Sequence, residues 1–387
     1  MAEGNIVLIQ SNVSELWLCI LVMGGVNVLM EDIDLYAEID NFERYKSVKS
    51  ILIKGDLQAV KDPFVSIVIP TYKRPSLLKE AINSALNQKD ANCEYEVVVV
   101  DNDSTFDIET ETDRLIRTYS DKRLYYYKNE KNLGMFGNWN RCIELARGRW
   151  VAFLHDDDLL REDYISKIRE LLMRRKNIGA IMPSMDCIGG AKTVNQDKKI
   201  RNLIKYTLKK IYYAFLSNRL MKLNYYDSYI LQSNVYGAPT CGAIFMREYL
   251  TELGGFDEDY FPSADWFFLI KFNRKYEVYR AFEKLGYYRY ESNETLNLAT
   301  LKAFVEDAYK FRCFVKQNSL LGRLWVCFFE KEIHKRFVDW VVALDRTQSI
   351  SPDDFNHLTD YEYRKVRYKL FKYIVFAYMR LNMIRIV

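Results

Sequence analysis

Between residues 64 and 160 the chain alternates short apolar runs with longer amphipathic stretches. Four of these runs are rich in Val, Ile, Tyr or Phe and predict buried β-strands. They are residues 65–70, 97–100, 124–127 and 150–154. The stretches between them predict three helices, at residues 75–86, 107–119 and 137–147. Strands that alternate with helices predict an α/β fold with a mostly parallel sheet flanked by helices.

A polar segment directly follows each predicted strand. These segments are residues 71–74, 101–104, 129–134 and 155–158. In open α/β sheets ligands bind outside the carboxyl ends of the strands, so the four segments predict one composite site. The chain contains no GxGxxG and no Walker sequence, which excludes a dinucleotide fingerprint and a P-loop.

The pattern changes on both sides of this regular region. Residues 1–63 are predicted to be an N-terminal extension, and residues 64–298 to form the α/β domain. Within that domain the irregular, basic and tyrosine-rich segment 186–235 is a candidate for acceptor selection, or else a structural insertion. Residues 299–387 are predicted to form a mainly helical, basic C-terminal region.

The charge is concentrated at one end of the chain. The net charge is +4, but residues 361–387 hold seven Lys or Arg and one acidic residue, so the rest of the chain is slightly negative. We therefore expect no nucleic-acid partner. A basic amphipathic helix at this end predicts either peripheral contact with an anionic membrane or an ordinary packing helix, with equal weight.

The cysteines, the histidines and the apolar runs of the chain indicate which redox state, metal site and membrane segment to expect. The seven cysteines lie far apart with no CxxC pair, and there are only three histidines, so we expect reduced thiols and no histidine-based zinc site. The long apolar run 16–30 has 15 residues and is interrupted by two glycines. A transmembrane helix needs about 20 residues, so we expect no membrane span.

The sequence FLHDDDLL, residues 153–160, has three carboxylates at the end of a predicted buried strand. Two carboxylates ~4 Å apart repel by roughly 4 kcal/mol at an effective dielectric constant of ~20. One aspartate here could be a helix N-cap, and the cluster could be a solvated acidic turn. Three in a row at a strand end favour a site for an oxygen-preferring cation, Mn²⁺ or Mg²⁺.

Taken in order, these segments resemble the family 2 glycosyltransferases of the GT-A (Rossmann-like) fold. The resemblance rests on VSIVIPTYKR, VVVVDNDS, the Asn-Leu-Gly at 132–134, GNWNRCIELARG, FLHDDD, the Gly-Gly-Phe-Asp at 254–257 and Asp265. It covers about residues 64–295. It implies transfer of a sugar from a nucleotide-sugar to an acceptor hydroxyl, with inversion at the anomeric carbon.

The resemblance also implies roles for individual residues. Asp265 matches the general base. The segment His155 to Asp157 matches the family's Asp-x-Asp position, which implies that Asp157 is the metal ligand and that Asp158 supports the metal. The residues that match the nucleotide-sugar site are Pro70, Thr71, Tyr72, Arg74, Asp101, Asn102, Ser104, Asn132, Arg141 and Asp156. The chain departs from the family pattern at three places: His155 and Ala264 replace acidic residues, and no histidine follows Arg289 near Glu291.

We therefore expect an inverting, metal-dependent enzyme that uses a UDP-sugar and a glycan or lipid-linked glycan acceptor of a bacterial surface polysaccharide. The alternatives are a metal-dependent nucleotidyltransferase and a non-catalytic glycan- or nucleotide-binding module with the same fold. We expect a cytoplasmic location. Peripheral attachment to the cytoplasmic face of the inner membrane would be compatible with it.

Overall fold

The computed structural model describes residues 33–188, 219–231, 240–289, 296–358 without 346, 370–378 without 376, and 386. The chain divides into two compact units. The sheet unit comprises Tyr36–Tyr225, Val235–Glu294 and Met383–Val387. The helical unit comprises Met1–Leu35, Tyr226–Asn234 and Thr295–Asn382.

Ten strands of the described residues form one mixed sheet. They are β1 (Ser50–Lys54), β2 (Val65–Thr71), β3 (Tyr95–Asp101), β4 (Leu124–Asn129), β5 (Trp150–Phe153), β6 (Leu159–Leu160), β7 (Ile178–Ile188), β8 (Leu220–Lys222), β9 (Ile244–Met246) and β10 (Glu277–Arg289). The order is β1-β4-β3-β2-β5-β9-β7-β10-β6, and β8 pairs with β10. Strands β4, β3, β2 and β5 are parallel, as are β7 and β10, whereas β1, β6, β8 and β9 are antiparallel to their partners.

The helices follow the strands in the order expected of an α/β fold. Those of the sheet unit are α1 (Pro75–Leu86), α2 (Glu111–Arg117), α3 (Gly134–Leu145), α4 (Tyr164–Met173), α6 (Arg247–Glu252) and α7 (Ala264–Lys275), and α5 (Tyr225–Leu231) follows β8. Every residue of β3 is buried, as a strand covered by helices on both faces requires. Helix α1 buries Leu78, Ile82 and Leu86 against that sheet, each side chain contributing roughly 1.5–3 kcal/mol.

The predicted fold class and the four predicted strands are confirmed. The domain boundary at residue 63 stays a prediction; residues on both sides of it, Tyr36–Tyr225, belong to the compact sheet unit. Strand β1 pairs antiparallel with β4 and becomes an edge strand. Only one face of β1 is partly buried, and Ile51 and Ile53 on the other face are exposed. The sequence of this strand therefore shows only a weak hydrophobic pattern.

The helical unit contains the two longest described helices, α8 (Leu298–Asn318) and α9 (Leu320–Leu344), followed by a 3₁₀ helix, Pro352–Leu358. Leu301 and Val305 of α8 pack with Val338 and Val341 of α9 in a small core of their own. Most of the basic segment 361–387 lies outside the described residues. In the described part of the chain, no helix is long and apolar enough to cross a membrane.

Candidate active site

The carboxyl ends of β2 and β5 are joined by side-chain contacts. The hydroxyl of Thr71, the last residue of β2, donates a hydrogen bond of 2.8 Å to Oδ2 of Asp156. In the loop after β2, Arg74 Nη1 lies 3.2 Å from Asp157 Oδ2 and 3.5 Å from Asp156 Oδ1. The structure thus brings together four of the residues predicted for the site.

The positive charge next to Asp156 and Asp157 does not balance the negative charge of these two carboxylates. Asp156 and Asp157 are 7% and 5% exposed. Burial raises the pKa of Asp156 to about 6, although the charge of Arg74 and the hydrogen bond from Thr71 oppose the rise. Burial likewise raises the pKa of Asp157. A raised carboxyl pKa means that the ionised form lacks stabilisation here, which a bound cation would supply.

Asp158 contacts a different set of partners from Asp156 and Asp157. Its Oδ1 accepts a 2.7 Å hydrogen bond from the backbone N–H of Arg289, at the end of β10, and its Oδ2 lies 3.2 Å from Nδ1 of His155. The Arg289 side chain donates to the carbonyl oxygen of Asp157 at 2.8 Å and to Glu80 at 2.8 Å. Asp158, expected beside Asp157 as a second metal ligand, therefore fastens β10 to this loop.

The loop after β3 forms a second polar network. Asp101 is fully buried; its Oδ1 accepts from the N–H of Asp103 at 2.9 Å and its Oδ2 from the hydroxyl of Tyr126 at 2.8 Å. Burial raises the pKa of Asp101 to about 6 despite these two hydrogen bonds. Asn102 lies beside Asp101, and its Nδ2 donates to Oδ1 of Asn132 at 3.0 Å. The backbone N–H of Asn102 donates to the carbonyl of Thr71 at 2.9 Å, which links this network to the carboxylate cluster.

Three predicted residues contact solvent at the rim of these loops: Pro70 is half-buried, Ser104 is exposed and Tyr72 is 46% exposed. Lys73, between Tyr72 and Arg74, adopts a left-handed backbone conformation with φ of 55°. This turn lets Arg74 reach the aspartates while Tyr72 faces outward. An exposed aromatic ring at this position is suited to stacking on a planar ligand.

Arg141, predicted to belong to the nucleotide-sugar site, makes its contacts elsewhere. Its guanidinium donates to the carbonyls of Tyr45 and Val48 at 2.9 Å and to the hydroxyl of Ser50 at 3.0 Å, and it lies 2.9 Å from Glu144. These partners belong to residues 45–50 and to α3. The structure therefore does not bring Arg141 to the carboxylate cluster; it joins the segment before β1 to the sheet unit.

Asp265 lies in the first turn of α7, but the N-cap is Ser263. Its Oδ2 accepts from the hydroxyl of Thr240 at 2.8 Å and its Oδ1 from the N–H of Trp266 at 2.7 Å. Burial raises its pKa, while both hydrogen bonds oppose the rise. The pKa of His155 is raised: burial lowers it, but the negative charges of Asp158, Asp157 and Asp265 outweigh burial.

Sequence reasoning missed three residues that shape this site: Thr240, Tyr126 and Trp139. Thr240 orients Asp265, and Tyr126 bonds Asp101. The ring of Trp139 lies against that of His155, with centroids 5.2 Å apart. Tyr126 and Trp139 had looked like ordinary core aromatics, and only the strand-end position of Tyr126 could have signalled a polar role. The segment near Glu291, where a further ligand was sought, lies outside the described residues.

Several known proteins are similar to the part of the chain that contains this site. Residues 66–254 match the family model described as "Glycosyl transferase family 2". An uncharacterised protein of Mycobacterium tuberculosis is 29% identical over 229 residues, which are 55% of this chain and 65% of the relative. An uncharacterised glycosyltransferase of Methanocaldococcus jannaschii is 25% identical over 45% of this chain and 62% of its own length. TuaG of Bacillus subtilis, named as a teichuronic acid biosynthesis glycosyltransferase, is 31% identical over 29% of this chain and 43% of its own length.

Among solved structures, Staphylococcus aureus TarS 1–349 in complex with UDP-GlcNAc matches with a TM-score of 0.51 and 16% identity, over 75% of this chain and 77% of that chain. The sheet unit has the GT-A fold, with its carboxylate cluster at the carboxyl ends of the strands. Residues 66–254 belong to glycosyl transferase family 2. The chain spans less than two thirds of the length of each of the three relatives above.

Proposed function

We propose that this chain transfers a sugar from a UDP-sugar to a hydroxyl group of a growing cell-surface glycan, with inversion at the anomeric carbon. The observation that carries the proposal is the presence of two buried carboxylates, Asp156 and Asp157, and a third, half-buried carboxylate, Asp265, in the same sheet unit. TuaG, the relative named for teichuronic acid biosynthesis, supports a surface-glycan product.

The nucleotide is proposed to bind over the loops after β2 and β3. Asp101 is held rigidly by Tyr126 and the Asp103 N–H, and each of its oxygens keeps a further lone pair. Such a carboxylate can accept a hydrogen bond from the ring N–H of uracil, which favours UDP over nucleotides without that donor. Tyr72 is proposed to stack on the base, with Asn102, Ser104 and Asn132 around the nucleotide.

The residues present fit the divalent cation that the fold family implies. Asp156 and Asp157 are buried carboxylates with raised pKa values, and Arg74 is a single positive charge shared between them. Asp157, supported by Asp156, would hold Mn²⁺ or Mg²⁺ together with the substrate phosphates. When bound, the ion would act as a Lewis acid that neutralises charge on the leaving diphosphate.

Asp265 is the proposed general base. The acceptor oxygen forms a bond to the anomeric carbon of the donor while the bond from that carbon to the diphosphate oxygen breaks. The electron pair leaves with UDP, and the acceptor proton passes to a carboxylate oxygen of Asp265. Burial raises the pKa of Asp265, which makes its carboxylate a stronger proton acceptor than an exposed one. A single displacement of this kind inverts the anomeric configuration.

The first experiment is calorimetric titration of the purified full chain with UDP, with and without Mn²⁺, on wild type and Asp157→Asn. Binding that requires Mn²⁺ and is lost in the variant supports the donor site. A screen of UDP-sugars for UDP release then compares wild type with Asp265→Asn, which should bind UDP normally and release at least about a hundredfold less product.

Two other functions are outcomes of the same experiments. UDP or glycan binding without turnover of any nucleotide-sugar would favour a non-catalytic binding module. Formation of a nucleotide-sugar and pyrophosphate from a nucleoside triphosphate and a sugar phosphate would favour a nucleotidyltransferase. A lipid-linked acceptor, acceptor selection by residues 186–235, a cytoplasmic location and membrane contact through 361–387 are extensions of the proposal.

A further inference from the structure

A second group of potential ligands includes two residues of the loop that bears the carboxylate pair. His155, Asp158 and Cys241 each offer one ligand atom, and these three atoms lie within 4.8 Å of one another. Asp158 and Cys241 are fully buried, and the side chain of His155 is 23% exposed. No other group of three or more His, Cys, Asp and Glu in the described residues comes this close together.

One ring nitrogen of this group lacks a partner in the protein. Oδ2 of Asp158 lies 3.2 Å from Nδ1 of His155, within ion-pair distance. Nε2 of His155 is buried without a hydrogen-bond partner. Buried polar atoms in folded proteins are nearly always paired, so this nitrogen indicates a missing ligand.

The surrounding structure holds these side chains in place. The N–H of Gly242 donates to the carbonyl of Phe153 at 2.7 Å, and the N–H of Phe153 donates to the carbonyl of Ala243 at 3.0 Å. These two bonds fix the turn that bears Cys241 against the end of β5. Trp139 lies against the ring of His155, and the N–H of Arg289 holds the other oxygen of Asp158. Ligands held this way need little reorganisation to bind an ion.

The donor atoms select the kind of ion. An imidazole nitrogen, a thiolate sulfur and a carboxylate oxygen together suit Zn²⁺, whereas Mn²⁺ and Mg²⁺ prefer oxygen ligands such as those of Asp156 and Asp157. The small number of histidines predicted no histidine-based zinc site, but the structure brings His155 beside Asp158 and Cys241. We propose that these three residues form a binding site for Zn²⁺ or a similar thiophilic divalent cation, distinct from the proposed Mn²⁺ or Mg²⁺ position at Asp157. Three protein ligands leave a fourth position for water.

Binding exchanges a proton for the metal. The S–H bond of Cys241 breaks as the sulfur–metal bond forms, and the proton leaves to solvent. Thr240, which donates to Asp265, is the neighbour of Cys241. The ion would therefore clamp the loop at 155–158 to the turn that positions Asp265. This inference does not rest on the proposed sugar transfer, because ion binding is measured without a substrate.

Cobalt is the probe that tests this site, because a thiolate–Co²⁺ bond produces a charge-transfer band in the near ultraviolet. Metal-free full-length protein is titrated with Co²⁺ and then with Zn²⁺. We expect one equivalent of Co²⁺ to produce the band and Zn²⁺ to remove it. Asp157→Asn should keep the band, since that residue belongs to the oxygen-only position.

Two cysteine variants make the test specific. Cys241→Ser should abolish the band, while Cys142→Ser, which alters another fully buried thiol, should leave it unchanged. If Cys241→Ser does not fold, as judged by circular dichroism, His155→Asn replaces it and should weaken Zn²⁺ binding at least about tenfold. Absence of the band in wild type, or its survival in Cys241→Ser, would overturn the proposal and leave a His–Asp ion pair beside a buried thiol.

Discussion

The hydroxyl of Thr240 donates a 2.8 Å hydrogen bond to Oδ2 of Asp265, across 25 residues of chain. Burial raises the pKa of Asp265, and this hydrogen bond is the strongest influence that lowers it. In the proposed mechanism, Thr240 therefore lowers the pH above which Asp265 would act as a base.

Removing that hydroxyl should shift the pH dependence of sugar transfer. In Thr240→Val the ionised carboxylate loses a hydrogen bond, so the pKa of Asp265 rises further. A hydrogen bond to a charged group contributes about 1.5–3 kcal/mol, and one pH unit corresponds to about 1.36 kcal/mol. We expect the acidic limb of kcat/KM to move up by about one to two pH units. Thr240→Ser keeps the hydroxyl and should keep the wild-type profile; an unshifted profile in the valine variant would refute the role of Thr240.

Asp101 should make stability depend on pH. Its pKa is about 6 in the folded protein against 3.8 ordinarily, so between these values the folded state binds more protons than the unfolded state. Its contribution is present below pH 3.8 and is lost as the pH rises through 6. At pH 8 the free energy of unfolding has lost at most about 3 kcal/mol of stabilisation from this group. Asp101→Asn removes the ionisation and should be more stable than wild type at pH 8, by a margin that vanishes near pH 4.

Urea unfolding at pH 4, 6 and 8 measures this difference, with the exposed Asp107→Asn as control, for which we expect no pH-dependent gain. The same Asp101→Asn variant should bind UDP more weakly, since an amide oxygen accepts from uracil less strongly than a carboxylate does. Equal stability of variant and wild type at pH 8 would contradict the raised pKa.

Arg141 should be needed for folding stability and not for nucleotide binding. Arg141→Met leaves the half-buried carbonyls of Tyr45 and Val48 without their donor, at a cost of about 1–3 kcal/mol. Chemical denaturation measures that loss, and Arg149→Met, at an exposed position, should change stability by less than about 0.5 kcal/mol. UDP affinity of the folded Arg141→Met protein should equal that of wild type. A large loss of affinity would return Arg141 to the nucleotide site.

Two glycines with the same backbone conformation test how the N-terminal segment docks. Gly254 has φ of 76°, and a Cβ there would lie 2.0 Å from the carbonyl oxygen of Ile39. Gly134 has φ of 73°, but a Cβ there meets only Glu258 Oε2 at 3.7 Å. Both alanine variants pay about 1–2 kcal/mol of backbone strain. Gly254→Ala must also displace residues 39–41, so we expect its melting temperature to fall several degrees further than that of Gly134→Ala.

Much of the sheet was predictable because strong local patterns specify it. Strands such as Tyr95–Asp101 are buried on both faces, so they appear in the sequence as continuous β-branched runs. Parallel strands also place their carboxyl ends at one edge, which is why Thr71, Arg74, Asp156 and Asp157 could be expected to meet. The edge strand Ser50–Lys54 has one face in solvent and made no comparable run.

By itself, the sequence determined the α/β class, the central strands and the carboxylates that follow them, because each depends on short stretches of hydrophobic pattern and on strand direction. Only the tertiary structure decided that Arg141 holds the N-terminal segment, that Thr240 orients Asp265, and that Cys241 lies beside His155, 86 residues away. Those contacts depend on how distant loops pack against the finished sheet. Packing of that kind is set by three-dimensional complementarity and leaves no periodic signal along the chain.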